Sequence, residues 1–318
     1  MRTCLILDDY QQAALSLADW SRLADRVAVS AIPEHIPERD TLVARIAQAE
    51  ILVIMRERTP FLAALLEQLP RLELLVTSGM RNLAIDVAAA KAQGITVCGT
   101  ESSPTPPTEL TWALILGLAR HLPQENQALR SGGPWQSTIG IDLAGATLGI
   151  LGLGKIGTRV AAIARAFGMR VIAWSPNLDA ERAAAAGVEL AASKEALLEA
   201  SDFVTVHLVL GDRTRGLLGE AELRRMRRSA YLVNTSRAPI VDQAALRRAL
   251  EEGWIAGAGL DVFETEPLPA DDRFRRLPNV LALPHLGYVT QANYRTFLTQ
   301  AVEDIEAWLA GAPIRTLS

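Results

Sequence analysis

Cysteine is scarce in this chain: Cys4 and Cys98 are the only two, and they stand far apart. That spacing excludes a disulfide framework and a clustered thiolate metal site, so no metal is expected. Each lies beside an apolar, strand-like run and reads as a reduced, packed thiol. An excess of basic charge is also lacking. Lysine and arginine total 32 against 36 aspartate and glutamate, for a formal net charge of -4, with no basic stripe. Nucleic acid is therefore not an expected partner. Long charge-free apolar runs are missing, so no membrane span is expected. The apolar run near the N-terminus is too short for a signal peptide. These absences leave a reducing cytoplasm as the expected location. No internal repeat is visible, and the one biased stretch is the alanine-rich helix surface at 183–186.

What is present is apolar material for two ordinary cores: 318 residues, 49% hydrophobic and 21% charged. The first hundred residues alternate short apolar runs with helix-length segments. Strands are expected at 5–7, 51–54, 74–76 and 95–97, with helices near 41–49, 62–68 and 85–92. Buried parallel strands have this texture. A proline-rich stretch over 99–107 then reads as a hinge, followed by an apolar helix over 108–121 with Glu109 in its first turn. A second series places strands at 146–151, 171–174, 203–206, 231–234, 256–260 and 280–282. Helices are expected near 156–167, 221–227, 243–251 and 291–309. Strand-helix alternation on this scale predicts a doubly wound parallel sheet.

The strand at 147–151 runs directly into Gly152-Leu153-Gly154-Lys155-Ile156-Gly157. In that context the three glycines have separate tasks. Gly152 permits a tight turn, Gly154 lets backbone approach a pyrophosphate, and Gly157 lets helix and strand pack closely. The helix N-terminus offers N–H groups and a positive dipole end to phosphate. The chain is therefore expected to bind a dinucleotide. The next strand should end in an acid if it is to hold an unphosphorylated ribose, but it ends at Ser175. A hydroxyl does not repel a 2'-phosphate as a carboxylate would, and the next arginine after it is Arg182. Both NAD and NADP stay open.

Three later strand-end segments carry polar residues where open α/β sheets place ligands. They hold Arg237, Glu266 and His285. A guanidinium can clamp a carboxylate in bidentate fashion. An imidazole can exchange the hydroxyl proton near neutral pH, and a neighbouring carboxylate can orient it. Oxidation of a 2-hydroxy acid needs this set.

The motifs Gly152 to Gly157, Asn234-Thr235-Ser236-Arg237, Asp261-Val262-Phe263-Glu264-Thr265-Glu266-Pro267 and Pro284-His285 together make the chain resemble the D-isomer-specific 2-hydroxyacid dehydrogenase family over essentially its whole length. The resemblance implies two α/β domains, a doubly wound Rossmann-type cofactor domain (101–290) inserted into a smaller flavodoxin-like substrate domain (1–100 plus 291–318). It implies catalysis in a cleft and a homodimer formed through the cofactor domains. Arg237, Glu266 and His285 fall on the family's catalytic positions. Gly152, Gly154, Lys155, Ile156, Gly157, Ser175, His207, Thr235 and Asp261 fall on its cofactor contacts. The loop at 77–82, with Ser78, Gly79 and Met80, falls on the segment that holds the substrate carboxylate through backbone N–H groups. Arg56 and Arg58 follow the second expected strand, in a loop expected to face the cleft, and one of them is expected to bind a second acidic group on the substrate, with Arg56 placed among the substrate contacts. The chain departs from the family pattern at Met80-Arg81, Ala238, Val209 and Tyr288; Tyr288 is expected to narrow the pocket. The implied reaction moves hydride between NAD or NADP and a small 2-hydroxy or 2-keto acid of D configuration. Alternatives on the same fold are a phosphite- or formate-type dehydrogenase, of which the formate enzymes carry glutamine where Glu266 stands. A dinucleotide-sensing, protein-binding corepressor is a third, though no disordered tail or extra basic element supports it.

Overall fold

Runs of aliphatic and β-branched residues too short for helices set the architecture, because such runs can be satisfied only by pairing with one another. The computed structural model describes residues 1–317 and divides into two compact units, Met1–Ser103 with Val289–Ser318, and Pro104–Tyr288.

The first unit has five parallel strands: β1 (Arg2–Ile6), β2 (Val27–Ala31), β3 (Ile51–Ile54), β4 (Leu74–Thr77) and β5 (Thr96–Gly99). Their order, β2-β1-β3-β4-β5, is that of flavodoxin-like sheets. β3 and β4 are buried at every position, as strands covered on both faces must be. One face packs Leu52, Leu75, Phe61 and Leu66, and the other Ile51, Leu74, Val76 and the helix Gln291–Leu309 through Leu298, Val302 and Ile305. That helix begins where the 291–309 periodicity places it, with Thr290 as a side-chain cap on the Asn293 N–H. Strand β2 was not expected. Its exposure alternates at the sheet edge, with polar Ser30 on the open side, so the apolar run is broken.

The second unit has seven parallel strands: β6 (Thr147–Leu151), β7 (Arg170–Trp174), β8 (Glu189–Leu190), β9 (Phe203–Val206), β10 (Tyr231–Asn234), β11 (Gly257–Leu260) and β12 (Val280–Ala282). Their order is β12-β11-β10-β9-β6-β7-β8. Counted from β6, this is the Rossmann order 3-2-1-4-5-6 with one added strand. The fold class is thus the one expected. Strand order reverses between β6 and β9, where such sheets open a crevice at their carboxyl ends.

Two local expectations are corrected. The apolar helix spans Thr105–Ala119 rather than 108–121. Pro106 and Pro107 sit in its first turn, where a missing N–H costs nothing and the fixed φ already suits a helix, so part of the proline run is helix and not hinge. Glu109 consequently lies past the first turn, which holds no acid. A further helix, Leu122–Arg130, buries none of its residues. No helix among the described residues is long and apolar enough to cross a membrane.

Candidate active site

Strand β6 is buried throughout and ends in a turn that only glycine can make. Gly152 has φ +102°, and a Cβ there would stand 2.6 Å from the His207 carbonyl oxygen. A Cβ on Gly157 would stand 2.1 Å from the Gly152 carbonyl oxygen, so helix and turn could not approach as they do. Gly154 has nothing within 4 Å of an added Cβ. The helix Lys155–Ala166 starts from Gly154, and no side chain among the described residues caps its first N–H groups. A cradle open at Gly154 and closed at Gly152 and Gly157 fits a dinucleotide pyrophosphate.

His207 follows β9 across the reversal point, its N–H bonded to the Leu151 carbonyl at 2.7 Å. Both ring nitrogens are covered and have no hydrogen-bond partner among the described residues, and burial pushes the imidazole down to about 4. It is neutral at pH 7. The hydroxyl of Thr235, after β10, lies 2.9 Å from that of Thr111. Ser175 follows β7 directly.

Asn234 closes β10 fully buried and must be satisfied. Its Nδ2 donates to the Arg237 carbonyl at 3.1 Å, and its Oδ1 accepts from the Ser236 N–H at 3.0 Å. This folds the segment back so that Arg237 emerges half-buried, with Nη1 donating to the Ser236 carbonyl at 2.7 Å. Sequence reasoning gave Asn234 no task. The signal was available, since a polar residue ending a buried strand needs partners.

Glu266 and His285 meet at Oε2 and Nδ1, 2.6 Å apart. The other carboxylate oxygen, Oε1, accepts from the Phe263 N–H at 2.9 Å, so the side chain is fixed at both ends. Nδ1 is thus the ring nitrogen turned to the carboxylate. Tyr288 packs edge-on to the imidazole, centroids 5.3 Å apart. His285 has φ +54°, uncommon for a residue with a side chain. Asp261, fully buried after β11, secures the segment that follows: Oδ1 accepts from the Leu286 N–H at 2.6 Å and Oδ2 from the Gly287 N–H at 2.8 Å. Arg237, Glu266, His285 and the glycine turn thus all belong to one unit and all stand beyond strand carboxyl ends.

Burial raises the Asp261 carboxyl to about 6, against the lowering effects of His285 and the two N–H donors. An acid whose folded value lies above its unfolded 3.8 binds its proton more readily when folded, so stability rises as the pH falls through about 6. Between pH 8 and pH 5 this residue is expected to add on the order of 1 kcal/mol to the unfolding free energy. Urea titrations of the protein and of Asp261→Asn at both pH values check it. The gap between the two should widen in favour of the unsubstituted protein at pH 5, and a gap constant with pH would refute the assignment.

In the first unit, Arg56 also has positive φ, +53°. Its backbone N–H bonds the Ser78 hydroxyl at 2.8 Å, and Nη1 reaches the Ser78 carbonyl at 3.4 Å. The guanidinium lies against Gly79, where a Cβ would stand 2.1 Å from Nη1. The Gly79 N–H is taken by Thr100 Oγ1, whereas those of Met80 and Arg81 have no partner among the described residues. Arg58 is differently placed. It donates to the Asp8 carbonyl and the Tyr294 hydroxyl and covers the Tyr10 ring at 4.2 Å. Of the two arginines, Arg56 accompanies the 77–82 loop, and Arg58 holds the fold.

Comparison with known proteins adds four findings. Residues 112–287 match the family model described as D-isomer specific 2-hydroxyacid dehydrogenase, NAD binding domain. A glyoxylate reductase from Aeropyrum pernix is 40% identical over 285 residues, which cover 86% of this chain and 84% of that protein. A D-3-phosphoglycerate dehydrogenase from Methanocaldococcus jannaschii is 37% identical over 276 residues, 86% of this chain but 52% of that protein. Among solved structures, a phosphoglycerate oxidoreductase from Vibrio cholerae aligns with a TM-score of 0.94 at 36% identity, covering 98% of this chain and 100% of that one.

Proposed function

The chain belongs to the D-isomer specific 2-hydroxyacid dehydrogenase family, an NAD(P)-dependent oxidoreductase acting on the CH–OH group of 2-hydroxy acids, and on that footing we propose that Arg237, Glu266 and His285 are its catalytic residues. The observation that carries this reading is the 2.6 Å contact of Glu266 with His285 Nδ1, in the same row of strand ends as Arg237 and the glycine turn. In reduction, the Arg237 guanidinium binds the substrate carboxylate and polarises the adjacent ketone. When bound, the dinucleotide supplies hydride in this direction and accepts it in the other. His285 Nε2 gives its proton to the oxygen of the ketone as that carbonyl is reduced, and Glu266 stabilises the imidazolium beforehand and keeps the ring oriented. In oxidation the same nitrogen removes the hydroxyl proton. Gly152, Gly154, Lys155, Ile156 and Gly157 hold the pyrophosphate, and Ser175, His207, Thr235 and Asp261 complete the cofactor site. Asp261 keeps the His285 segment in register.

For the substrate, the free N–H groups of Met80 and Arg81 beside Ser78 and Gly79 suit a carboxylate. Arg56 stands there with its Nε 3.7 Å from the Glu57 carboxylate, and we read its guanidinium as favouring small 2-keto acids that carry a second acidic group. The test is a panel of 2-keto acids, with and without a second carboxylate or a phosphate, followed by loss of NADH or NADPH absorbance. Turnover of at least one member supports the reading. Silence across the panel with the nucleotides still bound overturns it.

We assign a homodimer as well. Trp135 and Ile139 are 80% and 94% exposed, and Leu122, Leu129 and Ile141 are exposed nearby in the same stretch of the second unit. Apolar side chains this concentrated call for a covering surface, and the family's cofactor-domain pairing supplies one. Light scattering is expected to return twice the 34.4 kDa chain mass, and Ile139→Asp to return 34.4 kDa. A monomeric unsubstituted protein would refute the pairing. Buried, unpaired Cys4 and Cys98, both pushed up to about 12 by burial, suit a reducing cytoplasm.

A further inference from the structure

Which dinucleotide the site accepts is decided just beyond β7, where the turn beside the adenosine ribose lies in Rossmann-type sheets. Ser175-Pro176-Asn177-Leu178 forms that turn, closed by the Leu178 N–H on the Ser175 carbonyl at 3.1 Å. No acid occurs in it. The first carboxylate after it, Asp179, is already engaged, accepting from the backbone N–H of Arg182 at 2.8 Å as the cap of the next short helix. From that helix the exposed Arg182 side chain reaches back, and Nη1 donates to the Asn177 carbonyl at 3.0 Å. This single bond pins the guanidinium against the turn. Nε and Nη2 have no hydrogen-bond partner among the described residues. Five residues of sequence separate Arg182 from Asn177, and the helical turn between them brings the two together. An arginine invisible as a neighbour in sequence is therefore a neighbour in space.

We propose that Ser175 and Arg182 form a 2'-phosphate site, so that this enzyme uses NADP(H) at least as well as NAD(H). The proposal rests on the glycine turn being the dinucleotide site. Its chemistry is that of any exposed phosphate site: a hydroxyl that does not repel the dianion, and a guanidinium with free donors to pair with it. Glu181 and Asp179 are the acids closest in sequence. The capping bond holds Asp179 toward its helix.

The experiment is a fluorescence titration of the full-length protein with NADPH and NADH, at low and high salt, for the unsubstituted chain, Arg182→Ala, Arg182→Lys and Ser175→Asp. The unsubstituted protein is expected to bind NADPH as tightly as NADH or tighter, with the NADPH Kd rising in salt. Arg182→Ala should weaken NADPH about tenfold and NADH by less than about twofold. Arg182→Lys should recover part of the loss, and Ser175→Asp should weaken NADPH selectively. Tight NADH binding with NADPH more than about tenfold weaker, a gap of about 1.4 kcal/mol, would overturn the proposal and leave the dinucleotide site standing. Equal weakening of both nucleotides in Arg182→Ala would overturn it too. Failure to bind either would overturn the dinucleotide site itself.

Discussion

Replacing His285 with asparagine is expected to lower kcat for 2-keto acid reduction by about a thousandfold while the dinucleotide Kd stays within about twofold. The size follows from what is lost. Nε2 is the proposed proton donor and acceptor, and its partner nitrogen is committed to Glu266 at 2.6 Å. Asparagine is the right replacement because the backbone here has φ +54°, a conformation that asparagine adopts more readily than alanine. It also retains a polar group beside Glu266. A drop in kcat therefore reports lost proton transfer rather than a displaced loop. Thermal unfolding close to that of the unsubstituted protein would confirm the intact fold. A variant that keeps turnover within tenfold would remove His285 from the mechanism.

Arg237→Ala is expected to reduce kcat/KM by about three to four orders of magnitude, because two charge-assisted bonds to one carboxylate are lost together. Arg237→Lys restores the charge but not the planar fork, and is expected to recover only part of that loss. The fold should tolerate both changes. What Asn234 holds is the Arg237 main-chain carbonyl, at 3.1 Å, and that bond survives any side-chain substitution. Steady-state kinetics with the best substrate of the panel measures the effect. A loss confined to KM, with kcat unchanged, would mean that Arg237 binds substrate and reduced transition state alike. A loss below tenfold would put the carboxylate elsewhere.

The parts legible in the sequence are those that sterics enforce locally. Gly152 and Gly157 could be read because a Cβ at either would collide with backbone. The helix Gln291–Leu309 could be read because its apolar side is buried in a single stripe. Illegible parts depended on partners far away in sequence. The helix Leu122–Arg130 buries none of its residues among the described ones, so burial periodicity gave no cue. The Asp261 bonds to Leu286 and Gly287 span 25 and 26 residues. Ser175 was recognised as a non-acidic strand end, yet the return of Arg182 onto the same turn needed the helix geometry. Arg56 and Arg58 looked alike as a pair of loop charges. Tyr294 and the Asp8 carbonyl, contributed by other elements of the unit, separate them.

One feature of the chain's organisation bears on how such an enzyme could be re-engineered. The Pro104–Tyr288 unit is a single uninterrupted stretch, whereas the other unit is assembled from two ends of the chain. Under the assignment above, hydride and proton handling are encoded in the continuous stretch, and recognition of the substrate's remaining groups is encoded by the loops at 56 and 77–82. A library that randomises only those two loops would then sample new acids without disturbing a single hydrogen bond around His285. Inheritance of chemistry and drift of selectivity can proceed on separate pieces of one gene.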